Sequence, residues 1–474
     1  MGTNVLRKVL AVSTCKAARG ALRVMKKGGT ALPGKAAMFW SPDILSSASE
    51  GVQTIIVTGT NGKTTTCRIL EHALAEAGKE PLANRSGANL LSGITAEFVC
   101  DATLTGKPRH KYAVIECDEA ALQYVAPRVK PAVIVVTNLF RDQLDRYGEV
   151  MHTLEVIGKA VRKVPDSILC LNADDSLAAS LALEATGPVL YYGIDASACA
   201  EDDESAAGRT VTAGFHDGTA VSDARRCIRC GAEYQYEYHT YAHLGGFYCP
   251  SCGYRRPEAD VAVTRVEQMG QDSSTVRMRI RDGEYEARIG LPAVYNLYNA
   301  AAAVCACAAA GMSPEESLRS LGDHVNGFGR QEQFTLDGVQ IRMILVKNPA
   351  GCNQSLAYQD AMTQDFHLVL CLNDRTADGH DISWIWDVDY ERLCGNPHLG
   401  KICVFGDRAE DLCVRLKYAG IETNRIVQTH SLQELLDWLR ASDRPVNILP
   451  NYTSMLEVRA ALQKETGARA FWKG

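Results

Sequence analysis

Residues 53–66 read Gln53-Thr54-Ile55-Ile56-Val57-Thr58-Gly59-Thr60-Asn61-Gly62-Lys63-Thr64-Thr65-Thr66, and this stretch decides the fold. Its first six residues are mostly β-branched and predict a buried strand. Ile69, Leu70, Ala73 and Leu74 then recur at helical spacing up to Gly78, which predicts a helix closed by glycine. Strand, glycine loop and helix in that order form a site for phosphate. The backbone N–H groups of Gly59, Thr60, Asn61 and Gly62 can turn toward an anion, and the helix N-terminus adds favourable partial charge. Lys63 can reach terminal phosphates and the Thr64 hydroxyl can ligate Mg²⁺, with Thr65 following on the first turn. Val57 stands where the general eight-residue pattern has glycine. The plainer alternative is a simple turn between strand and helix.

Further strands are expected at 112–115, 132–137 and 167–171, with helical stretches between them. Such alternation predicts a mostly parallel sheet covered on both faces. Glu116 ends the first of these strands. A carboxylate at a strand tip beside a phosphate loop suits Mg²⁺, although Asp118 and Glu119 compete for that role. The pattern breaks over 197–223, which reads as a loop or weak hairpin. Alternating segments follow at 261–266, 275–280 and 285–289, then an alanine-rich helix over 296–310. Beyond Gly327-Phe328-Gly329-Arg330 the strands 339–346, 367–372 and 401–405 alternate with helices again. The expected architecture is therefore α/β. A basic segment (1–50) precedes a central phosphate-loop domain (51–326), and a smaller C-terminal α/β domain (327–474) follows.

Length and composition agree. A chain of 474 residues with 46% hydrophobic and 22% charged residues is ordinary for a globular protein of about three domains. No run is long and apolar enough for a membrane-spanning helix. The net charge is −6, which argues against a surface that grips nucleic acid throughout. Residues 1–42 nevertheless hold eight bases and no acid. Leu6, Val9, Leu10, Ala17, Ala21 and Val24 recur there at helical spacing. The segment is either an amphipathic helix for an anionic membrane surface or a helix packed on its own domain with a solvated basic face. There are 17 cysteines, most of them single and in apolar runs. Thiols in such number fit a reducing cytoplasm.

Four cysteines stand apart. Cys227-Ile-Arg-Cys230 and Cys249-Pro-Ser-Cys252 are two CxxC pairs separated by 18 residues, the spacing of a zinc ribbon at 225–256. Four thiolates close a tetrahedral Zn²⁺ shell and leave no open position, so the ion would be structural. Seven aromatic residues crowd the insert and arginines flank it. They can stack on bases and pair with phosphates, or form the ribbon's own small core.

Taken together, these residues resemble the Mur ligase family. The resemblance rests on Gly59–Thr65, on Thr137-Asn138 with 141–149, and on Asn172-Ala-Asp-Asp175. It extends to Tyr295-Asn296-Leu297-Tyr298-Asn299-Ala300 and to Gly329-Arg330-Gln331-Glu332. The ribbon, Lys347-Asn348-Pro349-Ala350-Gly351 and Asp378-Gly-His-Asp381-Ile-Ser-Trp384 narrow it to the branch that amidates lipid II with a partner glutaminase. The resemblance implies a Mur ligase-like fold over residues 1–460 and a site for ATP and Mg²⁺. Asn138 and Asn296 would contact nucleotide, Arg330 would reach the phosphates, and Glu116 would support the metal. It further implies ATP-dependent conversion of a D-glutamate α-carboxylate to D-isoglutamine. Ammonia would come from the glutaminase subunit, GatD, docked on the C-terminal domain, and Asp381 would complete that partner's Cys–His pair. Such work belongs at the inner face of the cell membrane.

Without the resemblance, Asp381 reads as a turn or helix-cap residue, and Asp374 and Asp378 are close enough to be confused with it. Cys352 and Cys371 read as core, so the chain shows no glutaminase nucleophile of its own. Two departures from the family pattern stand out. No equivalent of the modified lysine is visible, and Val346-Lys347 replaces Asp-His before Asn-Pro. The competing readings are an amino-acid-adding ligase of folate or muropeptide type and a zinc-ribbon nucleic-acid-binding ATPase. The altered residues near Lys347 count against the first, and the acidic charge beyond residue 42 against the second.

Overall fold

The computed structural model describes residues 2–25, 31–85, 88–141, 150–199, 223–270, 272–322 and 330–467. Its strands, in chain order, are β1 (Gln53–Thr58), β2 (Pro81–Ala83), β3 (Tyr112–Glu116), β4 (Val133–Val136), β5 (Ile168–Asn172), β6 (Val189–Ile194), β7 (Gln235–Tyr241), β8 (Leu244–Tyr248) and β9 (Val261–Met269). There follow β10 (Ser274–Ile280), β11 (Gly283–Ile289), β12 (Arg330–Leu336), β13 (Val339–Ile344), β14 (Phe366–Cys371), β15 (Leu399–Phe405), β16 (Ile426–Gln428) and β17 (Val446–Pro450). They form a nine-stranded sheet in the order β11-β10-β9-β6-β5-β4-β1-β3-β2, a six-stranded sheet β12-β13-β17-β14-β15-β16, and the β7-β8 hairpin.

From β2 to β9 the larger sheet is parallel, and β9, β10 and β11 close one edge antiparallel. Side chains alternate between its faces. Ile55, Val57, Val133 and Val135 enter one core with the helices Lys63–Glu76 and Val294–Ala309. Ile56, Ile115, Ile134 and Val136 enter another with Leu91–Asp101, Glu119–Val129 and Val150–Val161. Both faces are thus covered, as the βα alternation requires. In Val294–Ala309 the run Ala300–Ala303 is wholly buried, and its short side chains let the helix lie close to the sheet.

The basic segment folds onto this domain. Ala11, Val12, Cys15 and Ala37 are fully buried. Arg19 pairs with Glu97, and Lys16 donates to the Ala102 carbonyl at 2.7 Å. Of the two readings of residues 1–42, a helix packed on its own domain describes most of the segment. Leu6, Leu32, Phe39 and Trp40 stay exposed.

In the smaller sheet, β17 lies between β13 and β14, yet Val446-Asn447-Ile448-Leu449-Pro450 lacks an obvious strand pattern. Tertiary context explains it. Asn447 is buried and donates to Gln359 Oε1 at 2.6 Å, which satisfies a polar residue in a central strand. The stretches 200–222 and 323–329, read above as loop and boundary, lie outside the described residues.

Candidate functional site

β1 delivers the chain to Gly59 at the sheet's carboxyl edge, where ligands of open α/β sheets bind. Gly62 caps the following helix with φ 87°. A Cβ there would stand 2.1 Å from Asn299 Oδ1, so both conformation and space require glycine. The segment after β4 grips the loop from the other side. Thr60 N donates to the Asn138 carbonyl at 2.8 Å. Asn61 N donates to Asn138 Oδ1 at 2.9 Å, and Asn138 Nδ2 returns a bond to the Asn61 carbonyl at 3.1 Å. Phe140 N donates to Thr60 Oγ1 at 3.0 Å.

Lys63 is buried. Its ammonium donates to the Gly59 carbonyl and to Glu119 Oε1 at 2.7 Å. Burial by itself would lower its pKa, but Glu119, then Glu116 and Asp118, outweigh it and hold the ammonium above its ordinary value. The lysine is therefore charged throughout the neutral range. The three acids near it have separate duties. Asp118 caps the helix Glu119–Val129 through the amides of Ala120 and Ala121, and Glu119 neutralises Lys63. Glu116 sits opposite Val57 in the parallel register, with its backbone tied to Asn84 at 2.9 and 2.8 Å. Its side chain is half-buried at the strand tip. Thr64 is half-buried on the first helical turn. This donor set of hydroxyl and carboxylate oxygens fits a hard divalent cation.

Across the loop a cleft opens toward the smaller sheet. Asn61, Gly62, Thr65, Asn138 and Asn296 line it, together with Tyr241, Asn299, Lys347 and Gln354. Asn296 Nδ2 donates to the Pro292 carbonyl at 2.5 Å, and Asn299 Nδ2 donates to Asn296 Oδ1 at 3.1 Å. From the far wall, Asn348 Nδ2 donates to Asn61 Oδ1 at 3.1 Å. Asn348 also caps the helix Pro349–Asp360 through the Gly351 amide. Of the expected nucleotide residues, Asn61, Gly62, Thr65, Asn138 and Asn296 thus line the cleft, while Gly59, Thr60, Lys63, Thr64, Glu116 and Arg330 are not among its lining residues. Asn299, Asn348 and Tyr241 were not in the expected set. Asn299 had a signal, lying one turn after Asn296. So did Asn348, an N-cap before proline. Tyr241 had none, because its place depends on how the ribbon docks.

Arg330 opens β12 opposite Ile344, a cleft residue, and its side chain lies outside the described residues. Of the 141–149 motif only Arg141 is described at this point. Its amide donates to Asp223 Oδ2 at 2.7 Å and its guanidinium pairs with Asp387.

The four cysteine sulfurs of residues 227, 230, 249 and 252 lie within 4.8 Å of one another. Each knuckle closes on itself. Gly231 N donates to the Cys227 carbonyl at 2.7 Å, and Gly253 N to the Cys249 carbonyl at 3.0 Å. Both glycines have left-handed φ, 78° and 74°. Four convergent soft donors fit Zn²⁺. Tyr234, Phe247 and Tyr254 form the ribbon's core, while Arg225 and Arg255 pair with Glu233 and Glu237.

Asp381 lies apart from the cleft. It is half-buried, and its Oδ1 accepts from the Ser383 amide at 2.9 Å, an Asx turn just ahead of the short turn Ser383–Asp387. Asp378 is buried and accepts from the Thr453 amide at 2.8 Å. Burial raises its pKa. Asp374 stands 3.7 Å from Arg408. Near Asp381 in sequence, Trp386 is 51% exposed and meets Tyr418, 75% exposed, edge-on at 5.7 Å.

With this geometry in place, comparison with known proteins is informative. The family model for the Mur ligase middle domain matches residues 57–223, and that for the MurT ligase C-terminal region matches 345–455. The MurT subunit of lipid II isoglutaminyl synthase (glutamine-hydrolyzing) from Streptococcus pneumoniae (strain ATCC BAA-255 / R6) is 34% identical over 92% of each chain. The same subunit from Staphylococcus aureus (strain COL) is 33% identical over 97% of this chain and 98% of its own. Among solved structures, the MurF ligase from Thermotoga maritima in complex with ADP superposes with a TM-score of 0.60. That match has 14% identity and covers 90% of this chain and 83% of the other.

Proposed function

The chain belongs to the MurT family of Mur ligase-type synthetase subunits, and from that premise we propose that it activates a stem-peptide carboxylate of lipid II with ATP for amidation by ammonia. The observation that carries this reading is the cleft, where a phosphate loop with a buried, charged lysine faces an asparagine-capped helix of the second sheet. The terminal phosphoryl group of ATP passes to the D-glutamate α-carboxylate, giving ADP and an acyl phosphate. Ammonia then attacks the acyl carbon, phosphate leaves, and D-isoglutamine results. Both partners in the first step are anionic, so catalysis consists of positioning and charge neutralisation. The loop 59–62, braced by Asn138, and the Lys63 ammonium cradle the phosphates. Asn138 and Asn296 orient the nucleotide, and Arg330, at the start of β12, would reach the phosphates. Thr64 and Glu116 would hold Mg²⁺, which adds charge neutralisation on the phosphates. The two walls of the cleft keep water from the acyl phosphate. The cysteine set would hold a structural Zn²⁺.

Ammonia comes from a glutaminase subunit, GatD in this family's nomenclature, docked on the smaller sheet's domain. Asp381 orients and charges that partner's catalytic histidine. Asp378 is buried in structural bonds and Asp374 lies beside Arg408, which leaves Asp381 as the best placed of the three. The exposed pair Trp386 and Tyr418 offers the aromatic anchors a protein interface favours. Incubation with lipid II, ATP and glutamine, with and without the glutaminase, tests the function by mass. The second stem residue is expected to change from acid to amide. Absence of ATP-dependent amide even with ammonia supplied would refute the reading.

Among the described residues no helix is long and apolar enough to cross a membrane. For attachment to the inner membrane face we propose the exposed Leu32, Phe39 and Trp40, together with the bases Arg7, Lys8 and Lys35 of the same N-terminal segment. Changing those three bases to glutamine is expected to weaken attachment to anionic vesicles roughly a hundredfold, at about 1 kcal/mol per charge. Equal sedimentation of variant and parent would exclude that surface. Deleting residues 1–42 is a poorer test, because Ala11, Val12, Cys15 and Ala37 belong to the domain core.

A further inference from the structure

The cysteine ribbon reaches the cleft through the tip of its hairpin. β7 and β8 are joined by two residues, Ala242 and His243, with Ala242 at φ 47°. The tip is driven into the larger domain. Tyr241 is buried, lines the cleft and stacks on Phe140 at 5.8 Å and 22°. His243, 1% exposed, meets the other side of that contact, with its ring 4.7 Å from Phe140. Neither of its ring nitrogens has a hydrogen-bond partner, although Nε2 lies 3.4 Å from Asp175 Oδ1. A histidine buried without hydrogen bonds is costly, and here its ring serves as packing against Phe140.

Phe140 in turn belongs to the segment that grips the phosphate loop. It exchanges backbone bonds with Thr60 Oγ1 at 3.0 and 3.1 Å, two residues after Asn138. A second set of bonds keeps the tip seated. Thr240 Oγ1 lies 2.7 Å from Tyr298 Oη, Tyr298 donates to Asp174 Oδ2 at 2.5 Å, and Arg256 donates to Asp174 Oδ1 at 2.6 Å. Asp174 is wholly buried, so this bolt is shielded from water.

We propose that the hairpin tip is a latch for the phosphate loop. Tyr241 and His243 are positioning residues that clamp Phe140, and Phe140 with Asn138 holds Thr60 and Asn61 in their nucleotide-ready geometry. The ribbon is then part of the ligase machinery rather than an appendage to it. This inference rests on reading the cleft as the nucleotide site.

The test is calorimetric binding of a non-hydrolysable ATP analogue with Mg²⁺ to the full-length, zinc-loaded chain. Tyr241→Leu and His243→Leu are each expected to weaken binding roughly three- to tenfold, the range of one aromatic contact. Zinc content should stay at the parental value. Tyr241→Phe retains the ring and is expected to bind within about twofold of the parent. Phe140→Leu lies outside the ribbon and should weaken binding similarly. Combined with Tyr241→Leu it should add little, because both changes release one clamp. Parental affinity in both hairpin variants overturns the latch, as do fully additive losses or a Tyr241→Phe as weak as Tyr241→Leu. Should Tyr241→Leu lose its zinc or fold, Phe140→Leu and Tyr241→Phe decide the matter on their own. The nucleotide reading fails separately, if the parent does not bind the analogue or if Lys63→Ala binds it equally well.

Discussion

The phosphate loop and the turn at Asp381 are both short polar motifs following a strand, yet the fold treats them in opposite ways. Asn61 is held through its amide, carbonyl and side chain, and Lys63 is buried against Glu119. Asp381 has one bond to its own turn and sits near aromatic residues left open to solvent. A group that must meet a small ligand within the chain is preorganised by the chain. On the proposed reading, a group that completes another subunit's site is left for that subunit to enclose. The two regions are physically linked, since Arg141, just past the loop-gripping segment, pairs with Asp387 at the end of the Asp381 turn.

The largest expected effect breaks the loop alone. Lys63→Ala should reduce amidation about a thousandfold or more, whether glutamine or ammonium salt is the nitrogen source. A glutamine-specific defect would show that the two regions do not divide the work as described. Asp381→Asn should cut glutamine-dependent amidation about a hundredfold or more and leave the ammonia-dependent rate within about twofold of the parent. Loss of both rates would move Asp381 into the ligase step. Smaller again, Trp386→Ala and Tyr418→Ala should each weaken glutaminase binding roughly tenfold. Unchanged affinity by surface plasmon resonance would place the docking face elsewhere.

The smallest effect concerns what supports the turn. Arg415 is buried, donates to the carbonyls of Ile385 and Val388, and pairs with Glu391 at 2.8 Å. That hydrogen bond holds Glu391 below its ordinary pKa of 4.5. A lowered carboxylate stabilises the fold above its unfolded pKa, and the contribution is lost as pH falls through the folded one. Glu391→Gln should therefore cost under about 1 kcal/mol at neutral pH, as the acid is half-exposed. The Tm difference from the parent should close as the pH falls below 4.5. A difference that persisted in acid would mean that packing, and not charge, is involved.

Legibility followed locality. The loop, the β-strands around it and the paired CxxC knuckles are each specified by residues a few positions apart, and they stand where their spacing implies. Glu116, Asp118 and Glu119 could not be ranked from sequence, because only the docking of Lys63 against the helix Glu119–Val129 separates them. β17 was invisible for a similar reason, since its polar Asn447 is tolerated only with Gln359 beside it. The meaning of Asp381 came from family resemblance alone, as its local chemistry is that of any aspartate in an Asx turn.

By itself, the sequence determined the phosphate loop, the four-sulfur cluster and an α/β architecture, because β-branched runs, glycine and cysteine spacing act through the nearest few bonds. Only the tertiary structure decided that the basic helix packs on the domain, that Asn348 faces Asn61 across the cleft, and that the ribbon's tip lies under Phe140. Those contacts join residues tens to hundreds of positions apart. Their energy comes from burial and hydrogen bonding that exist only once the sheets and the hairpin have closed on one another.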